Sequence, residues 1–252
     1  MKAIVFAAGI GSRLKPFTDH HPKALAPVAG VPAIQRVVEK LVKAGADTVF
    51  VNVHHFASQI CDFLDSHNFG VPVVVSDESG WLLDTGGGLA KFWREQALLR
   101  SLPDDETIIV HNSDIITDFP ISELAAAEGD AAILVDGKRV STRGFLFDSQ
   151  GRLRGWHNTA KGLVRPQDLN TEGLRAAAFG GVHRVTPKVL KQISDYAGDG
   201  LHPFSIVDFY LDNCNLLDIR AFEPHKSYNW FDIGTPDKLA TATAALEGMN
   251  KA

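Results

Sequence analysis

The chain has 252 residues, enough for one large domain or two small ones, and carries 25 Lys and Arg against 30 Asp and Glu for a formal net charge of −5. That balance argues against a general affinity for nucleic-acid backbone, so an anionic ligand has to be small and locally held. Two cysteines, Cys61 and Cys214, are too few for a disulfide framework and wrongly spaced for a thiolate metal site, which reads as a reducing, cytoplasmic compartment.

The first predicted element is a strand, Lys2-Ala-Ile-Val-Phe-Ala, which empties directly into Ala8-Gly9-Ile10-Gly11-Ser12-Arg13. Glycines and an arginine following at once argue against a signal peptide, and no later segment reaches the roughly 18 uninterrupted apolar residues of a membrane span. A buried strand ending in such a loop lets backbone N–H groups converge on phosphate oxygens without Cβ obstruction. Arg13 adds a planar, permanently charged fork suited to phosphate. A dinucleotide-binding loop would need a small residue at Leu14 and a carboxylate after the second strand, which ends near Asn52. A P-loop would need Lys-Ser or Lys-Thr where the chain has Ser12-Arg13-Leu14-Lys15.

Pro32 suits a first helical position, and Ile34, Val37, Val38, Leu41 and Val42 keep helical spacing until Gly45. The alternation continues with a strand at 48–53, a helix at 57–66 with Ile60, Phe63 and Leu64 inward, a strand at 71–75, a helix at 87–99 and a strand at 107–111. Strands alternating with helices of this length predict an α/β fold with a mainly parallel central sheet between two helical layers. Ligands in such sheets bind beyond the carboxyl ends of the strands, where the Gly9 loop, Glu78 to Gly88, and Asn112 to Asp114 all fall.

Past residue 130 the pattern changes to antiparallel strands at 131–135, 144–147 and 152–156, with a turn at 148–151. A polar segment at 158–174 reads as a surface loop. A strand at 176–185, helices at 187–194 and 203–212, a strand at 216–222 and a helix at 236–248 follow. No linker forces a boundary, so one domain over 1–252 is expected, with halves 1–130 and 131–252. The ten histidines do not make a zinc site: His20-His21 and His54-His55 are adjacent pairs that point apart in extended chain.

Taken together, five segments make the chain resemble the nucleotidyltransferases that join a nucleoside triphosphate to a sugar 1-phosphate. They are Ala7-Ala8-Gly9-Ile10-Gly11-Ser12-Arg13-Leu14 with Pro16, Pro22-Lys23-Ala24-Leu25 before Val28-Ala29-Gly30-Val31-Pro32, Asp84-Thr85-Gly86-Gly87-Gly88, Asn112-Ser113-Asp114, and Trp230-Phe231-Asp232-Ile233-Gly234-Thr235. The resemblance covers nearly the whole length and implies a three-layer Rossmann-like nucleotidyltransferase fold, with a nucleotide-binding half at 1–130 and a sugar-binding half at 131–252. It implies that Ala8, Gly9, Gly11, Ser12 and Arg13 hold the triphosphate and that Lys23 reaches the α-phosphate or the incoming sugar phosphate. Glu78, Thr85, Gly86 and Gly87 would read the base, and Asn112 and Gly181 would face the sugar. Asp114 and Asp232 would bind Mg²⁺, completed by phosphate oxygens and water, with Asp118 the runner-up ligand. The resembling proteins usually have Gly where this chain has Ser113.

Arg13, Lys23, Asp114 and Asp232 are the expected catalytic set. The expected reaction moves a nucleoside monophosphate from UTP to a sugar 1-phosphate with release of pyrophosphate, closest to N-acetylmuramate 1-phosphate uridylyltransferases. Mannose- or heptose-1-phosphate guanylyltransferases and a non-catalytic nucleotide-sensing subunit are the alternatives. The expected partners are these small substrates, with neither nucleic acid nor membrane, in a monomer or small homo-oligomer.

Overall fold

The apolar run after Met1 forms β1 (Lys2–Phe6) in the computed structural model, which describes residues 1–136 and 139–249. In chain order there follow β2 (Pro27–Val28), β3 (Val31–Pro32), α1 (Ala33–Lys43), β4 (Thr48–Val53), α2 (Ala57–Ser66), β5 (Val73–Asp77), α3 (Asp84–Glu95), α4 (Ala97–Arg100), β6 (Ile108–Asn112), β7 (Ile115–Thr117) and α5 (Ile121–Ala125). The remainder is β8 (Ala131–Asp136), β9 (Arg143–Phe147), β10 (Leu153–Asn158), β11 (Leu163–Arg165), β12 (Arg175–Val185), α6 (Pro187–Tyr196), α7 (Ile206–Asn213), β13 (Ile219–Phe222), β14 (Trp230–Asp232) and α8 (Pro236–Met249). The chain folds as two compact units, neither continuous in sequence. The first gathers 1–82, 110–122 and the chain from Lys226; the second gathers 83–109 and 123–225.

In the first unit the strand order is β6–β1–β4–β5, with β1 and β5 both parallel to β4. Parallel strands covered on both faces need apolar side chains at consecutive positions. Accordingly Ala3, Ile4 and Val5 are fully buried, and so are Val49, Phe50, Val51 and Val53. Helix α1 buries Ala33, Ile34, Val37, Val38 and Leu41, the spacing expected for one covered face. Gly45 follows at φ +100, a conformation that L side chains rarely adopt. The α2 face is narrower than its sequence suggests: Ile60 and Leu64 are buried but Phe63 is half-exposed. Between β2 and β3, Ala29 and Gly30 take φ +47 and +77, the two left-handed residues of a tight hairpin. A separate ribbon pairs β7 antiparallel with β14.

In the second unit the order is β11–β10–β9–β12, with β8 antiparallel to β12 and β13 parallel to β8. Helix α3 packs against α6 and α7. The helix expected at 87–99 starts earlier and is divided at Gln96, whose extended backbone separates α3 from α4. The segment expected as a loop at 158–174 supplies β11, paired to β10 from Trp156↔Arg165 to Asn158↔Leu163. Among the described residues no helix is long and apolar enough to cross a membrane.

Candidate active site

The chain leaves β1 under tight control. The Ala7 N–H donates to Asn52 Oδ1 at 2.8 Å, and Asn52 Nδ2 donates to the Glu78 carboxylate at 2.8 Å. Asn52 and Glu78 are both buried, so a carboxylate orients the amide that in turn fixes the backbone. Beyond that anchor the N–H groups of Gly9, Ile10, Gly11 and Ser12 donate to no other group among the described residues. Successive undirected N–H dipoles on an exposed loop are a ready receptor for phosphate oxygens.

Gly11 is glycine on two grounds: its φ is +69, and a Cβ there would stand 2.9 Å from both Lys23 Cβ and Thr18 Cγ2. The Thr18 hydroxyl also donates to the Gly11 carbonyl at 2.9 Å, which holds the loop against the following turns. Lys23 begins the short 3-10 turn Lys23–Leu25 after Pro22, and its Nζ forms an ion pair with Asp114 Oδ2.

The two aspartates, remote in sequence, are joined by the β7–β14 ribbon. Asp232 lies opposite Ile115, and the Ile233 N–H donates to the Asp114 carbonyl at 3.0 Å. The crossing point is Gly234. A Cβ at that residue would stand 2.7 Å from Asp232 Oδ1, 3.2 Å from Arg13 Nη2 and 3.5 Å from Lys23 Nζ. Arg13, Lys23 and Asp232 therefore face one small volume, with Asp114 held to it through Lys23.

Asp232 has a second cationic partner, Lys238 Nζ at 2.6 Å, and accepts the Gly234 N–H at 2.6 Å. Burial pushes the Asp232 carboxyl up, but the bonds from Lys238 and Gly234 and the charges of Lys238 and Lys23 outweigh it and hold it below the usual carboxylate range. It is thus ionised at neutral pH.

Paired carboxylate oxygens suit a hard divalent ion that keeps water and phosphate as its other ligands, which is the habit of Mg²⁺. Among the described residues no group of three or more His, Cys, Asp or Glu side chains converges as a metal site. Asp114 and Asp232 each bind an ammonium group instead, Lys23 Nζ and Lys238 Nζ respectively. Asp118 has a different task, accepting from the Asn229 N–H at 2.7 Å and Asn229 Nδ2 at 2.5 Å to close the far end of the ribbon.

The other expected residues are distributed as follows. Ala8 is buried beneath the loop, while Ser12 and Arg13 are exposed. Asn112 ends β6, its carbonyl accepting from His111 Nδ1 at 2.9 Å. Ser113 is enclosed by protein and its N–H donates to the Phe6 carbonyl at 3.0 Å.

Thr85, Gly86, Gly87 and Gly181 belong to the second unit. The Thr85 hydroxyl accepts the Ile206 N–H at 2.9 Å, and the Gly86 and Gly87 N–H groups point at the Phe204 carbonyl at 2.9 and 3.4 Å. Gly181, at φ +74, lies where the β12–β8 register shifts between Phe179 and His183. Sequence reasoning missed Asn52 and Lys238 as site residues. The polar end of an apolar strand could have flagged Asn52; nothing local distinguishes Lys238 from any exposed helical lysine.

The chain matches the MobA-like NTP transferase domain over residues 3–154. It is 39% identical to an N-acetylmuramate alpha-1-phosphate uridylyltransferase of Neisseria meningitidis over 97% of each chain. To the enzyme of the same name from Caulobacter vibrioides it is 31% identical, over 97% of this chain and 96% of that one. The solved structure of HddC from Yersinia pseudotuberculosis shares the fold, with a TM-score of 0.71 over 97% of this chain and 99% of that one at 20% identity. With family match, full-length relatives and fold in agreement, the chain belongs to the MobA-like NTP transferases, and within them to the sugar-1-phosphate nucleotidyltransferases.

Proposed function

We propose that this protein transfers the UMP moiety of UTP to N-acetylmuramate 1-phosphate, giving the UDP-sugar and pyrophosphate, as one nucleotidyltransferase domain in the cytoplasm, monomeric or in a small homo-oligomer. The observation that carries the chemistry is the convergence of Arg13, Lys23 and Asp232 around Gly234. The choice of uridine and of N-acetylmuramate is supported by the names of the two full-length relatives.

A phosphate oxygen of the sugar 1-phosphate attacks the α-phosphorus in line, forming one P–O bond while the bond to pyrophosphate breaks. The attacking oxygen is already ionised near neutral pH, so no general base is required. The difficulty is to bring two anions together, which positioned cations and N–H dipoles relieve. The N–H groups of Gly9 to Ser12 receive the β- and γ-phosphates, and Arg13 steadies the charge growing on the leaving pyrophosphate. Lys23 has two anionic partners within reach of its flexible stem, Asp114 and the α-phosphate, and exchanges the first for the second as substrates enter. Asp114 and Asp232 are the residues that would hold Mg²⁺, whose charge would screen the phosphates when it is bound.

Purified protein given UTP, N-acetylmuramate 1-phosphate and Mg²⁺ should release pyrophosphate, and exchanging UTP for GTP should slow it. Silence with every pairing of these nucleotides and a panel of sugar 1-phosphates would overturn the activity. Asp232→Asn should lower turnover by about 10³-fold while the circular-dichroism spectrum stays that of the wild type.

A further inference from the structure

The loops that leave β1, β4 and β5 share one edge of the first unit, because the three strands run parallel. Among the described residues of that unit, the large apolar side chains left exposed are Ile10, Trp81 and Met249, and the first two stand in those loops. Trp81 is the more telling. Of the chain's four tryptophans it alone is exposed, at 59%, and its indole has neither a ring contact nor a hydrogen-bond acceptor among the described residues. An indole is a large apolar surface, and one left in water forgoes the burial that the other three partly obtain.

The backbone that carries this indole is nevertheless held. Trp81 closes a four-residue turn by donating its N–H to the Glu78 carbonyl at 2.9 Å. The same carbonyl accepts from His54 Nδ1 at 2.7 Å, and the Ser79 N–H donates to Asp77 Oδ1 at 2.7 Å. Glu78 is also the residue whose carboxylate orients Asn52, which fixes the Ala7 N–H ahead of the Gly9 loop. One hydrogen-bonded chain thus ties the turn of Trp81 to the Gly9 loop inside a single unit. Both ends are open: nothing lies within 4 Å of the place a Cβ would take on Gly9 or on Gly80.

Strand register sets the distance between the two ends. Phe6, Asn52 and Ser76 stand side by side across β1, β4 and β5, so the two loops start about 10 Å apart, two strand spacings. A nucleoside triphosphate laid along this edge, with its β- and γ-phosphates on the Gly9 loop, carries its base past the end of β4 to the end of β5. The Glu78 carboxylate is buried against Asn52 there, whereas the indole offers an exposed surface.

Resting on the nucleotidyl-transfer reading above, we infer that Trp81 is the platform on which the nucleobase stacks. Trp81 then holds the nucleoside end of the substrate while the Gly9 loop holds the phosphate end, with the α-phosphorus between them. Every base has a π-face, so this platform adds affinity without choosing between uridine and guanosine.

The test titrates wild type, Trp81→Ala and Trp81→Phe with UTP, GTP and inorganic tripolyphosphate in Mg²⁺, following tryptophan emission and calorimetric affinity. UTP and GTP should quench wild-type emission saturably and tripolyphosphate should not; the quench should vanish in Trp81→Phe. Trp81→Ala should weaken both nucleotides by about 5- to 150-fold and Trp81→Phe should recover most of that, with tripolyphosphate within about twofold in all three proteins. In turnover the same loss should appear as a higher KM for the nucleotide with kcat within about threefold. Unchanged nucleotide affinity in Trp81→Ala, an equal loss of tripolyphosphate, or a Trp81→Phe variant no better than Trp81→Ala would overturn the assignment. So would the absence of any nucleotide binding by folded wild type. Nucleotide binding that depends on Trp81 without turnover of any sugar 1-phosphate would leave the platform in place and overturn the transfer reading alone; turnover with an unaltered nucleotide KM in Trp81→Ala would do the reverse.

Discussion

Two glycine-rich segments, Gly9-Ile10-Gly11 and Gly86-Gly87-Gly88, look interchangeable as sequence yet do opposite things in the molecule. Around Gly9 nothing lies within 4 Å of the place a Cβ would take, and the neighbouring N–H groups are undirected. Around Gly86 the same place is filled: a Cβ would run into the Phe204 ring and stand 2.9 Å from the Phe204 carbonyl, and one on Gly87 would be 2.5 Å from the His202 carbonyl. The first segment is an open cradle; the second is a seam through which the chain at 202–206 approaches the first turn of α3. A glycine announces that something comes close, and only packing decides whether that is ligand or protein.

Alanine substitutions should separate the two segments. The largest expected effect is on Gly86→Ala, where overpacking against Phe204 should cost about 3 kcal/mol and lower Tm by roughly 6–12 °C in thermal denaturation. Unchanged Tm would mean that the seam is not tightly packed. Gly9→Ala should leave Tm within about 1 °C and raise KM for the nucleotide about 10-fold, because the new methyl group meets phosphate rather than protein. A normal KM would remove that loop from the phosphate site.

The smallest effect concerns the strand that leads to Asp114. His111 is fully buried, and burial pulls its pKa down from 6.5 to about 4 against the bond it makes to the Asn112 carbonyl. A histidine kept neutral in the fold favours the unfolded chain once that chain takes up a proton, so stability should fall as pH drops from 6.5 towards about 4. Denaturant titrations should register about 1 kcal/mol lost between neutrality and about pH 6, a loss absent in His111→Leu.

Legibility differed between the two halves of the candidate site for a physical reason. The Gly9 loop, Arg13 and Lys23 lie close together along the chain, where local rules of strand, turn and φ already constrain geometry. Asp114 and Asp232 were readable as strand-end carboxylates, but their meeting depends on the β7–β14 pairing, with Ile233 bonded to Asp114. The pairing of Lys238 with Asp232 and of Asn52 with Glu78 had no local signature, since each joins groups on different turns or strands. Phe63 erred in the other direction: helical spacing placed it inward, whereas α2 covers the sheet with a stripe only wide enough for Ile60 and Leu64.

From sequence alone came the alternation of strands and helices in the first half, the switch to antiparallel strands after residue 130, the glycine-rich loop after β1 and the identities of the charged residues. Each of these follows from periodicity or from short-range backbone constraint, which a linear chain displays directly. The convergence at Gly234, the sealing of Gly86 by Phe204 and the tie from the turn of Trp81 through Asn52 to the Gly9 loop were decided in three dimensions. They depend on which remote surfaces are pressed together, and the free energy that presses them, mostly burial of apolar area, is non-directional and leaves no local mark on the residues it brings into contact.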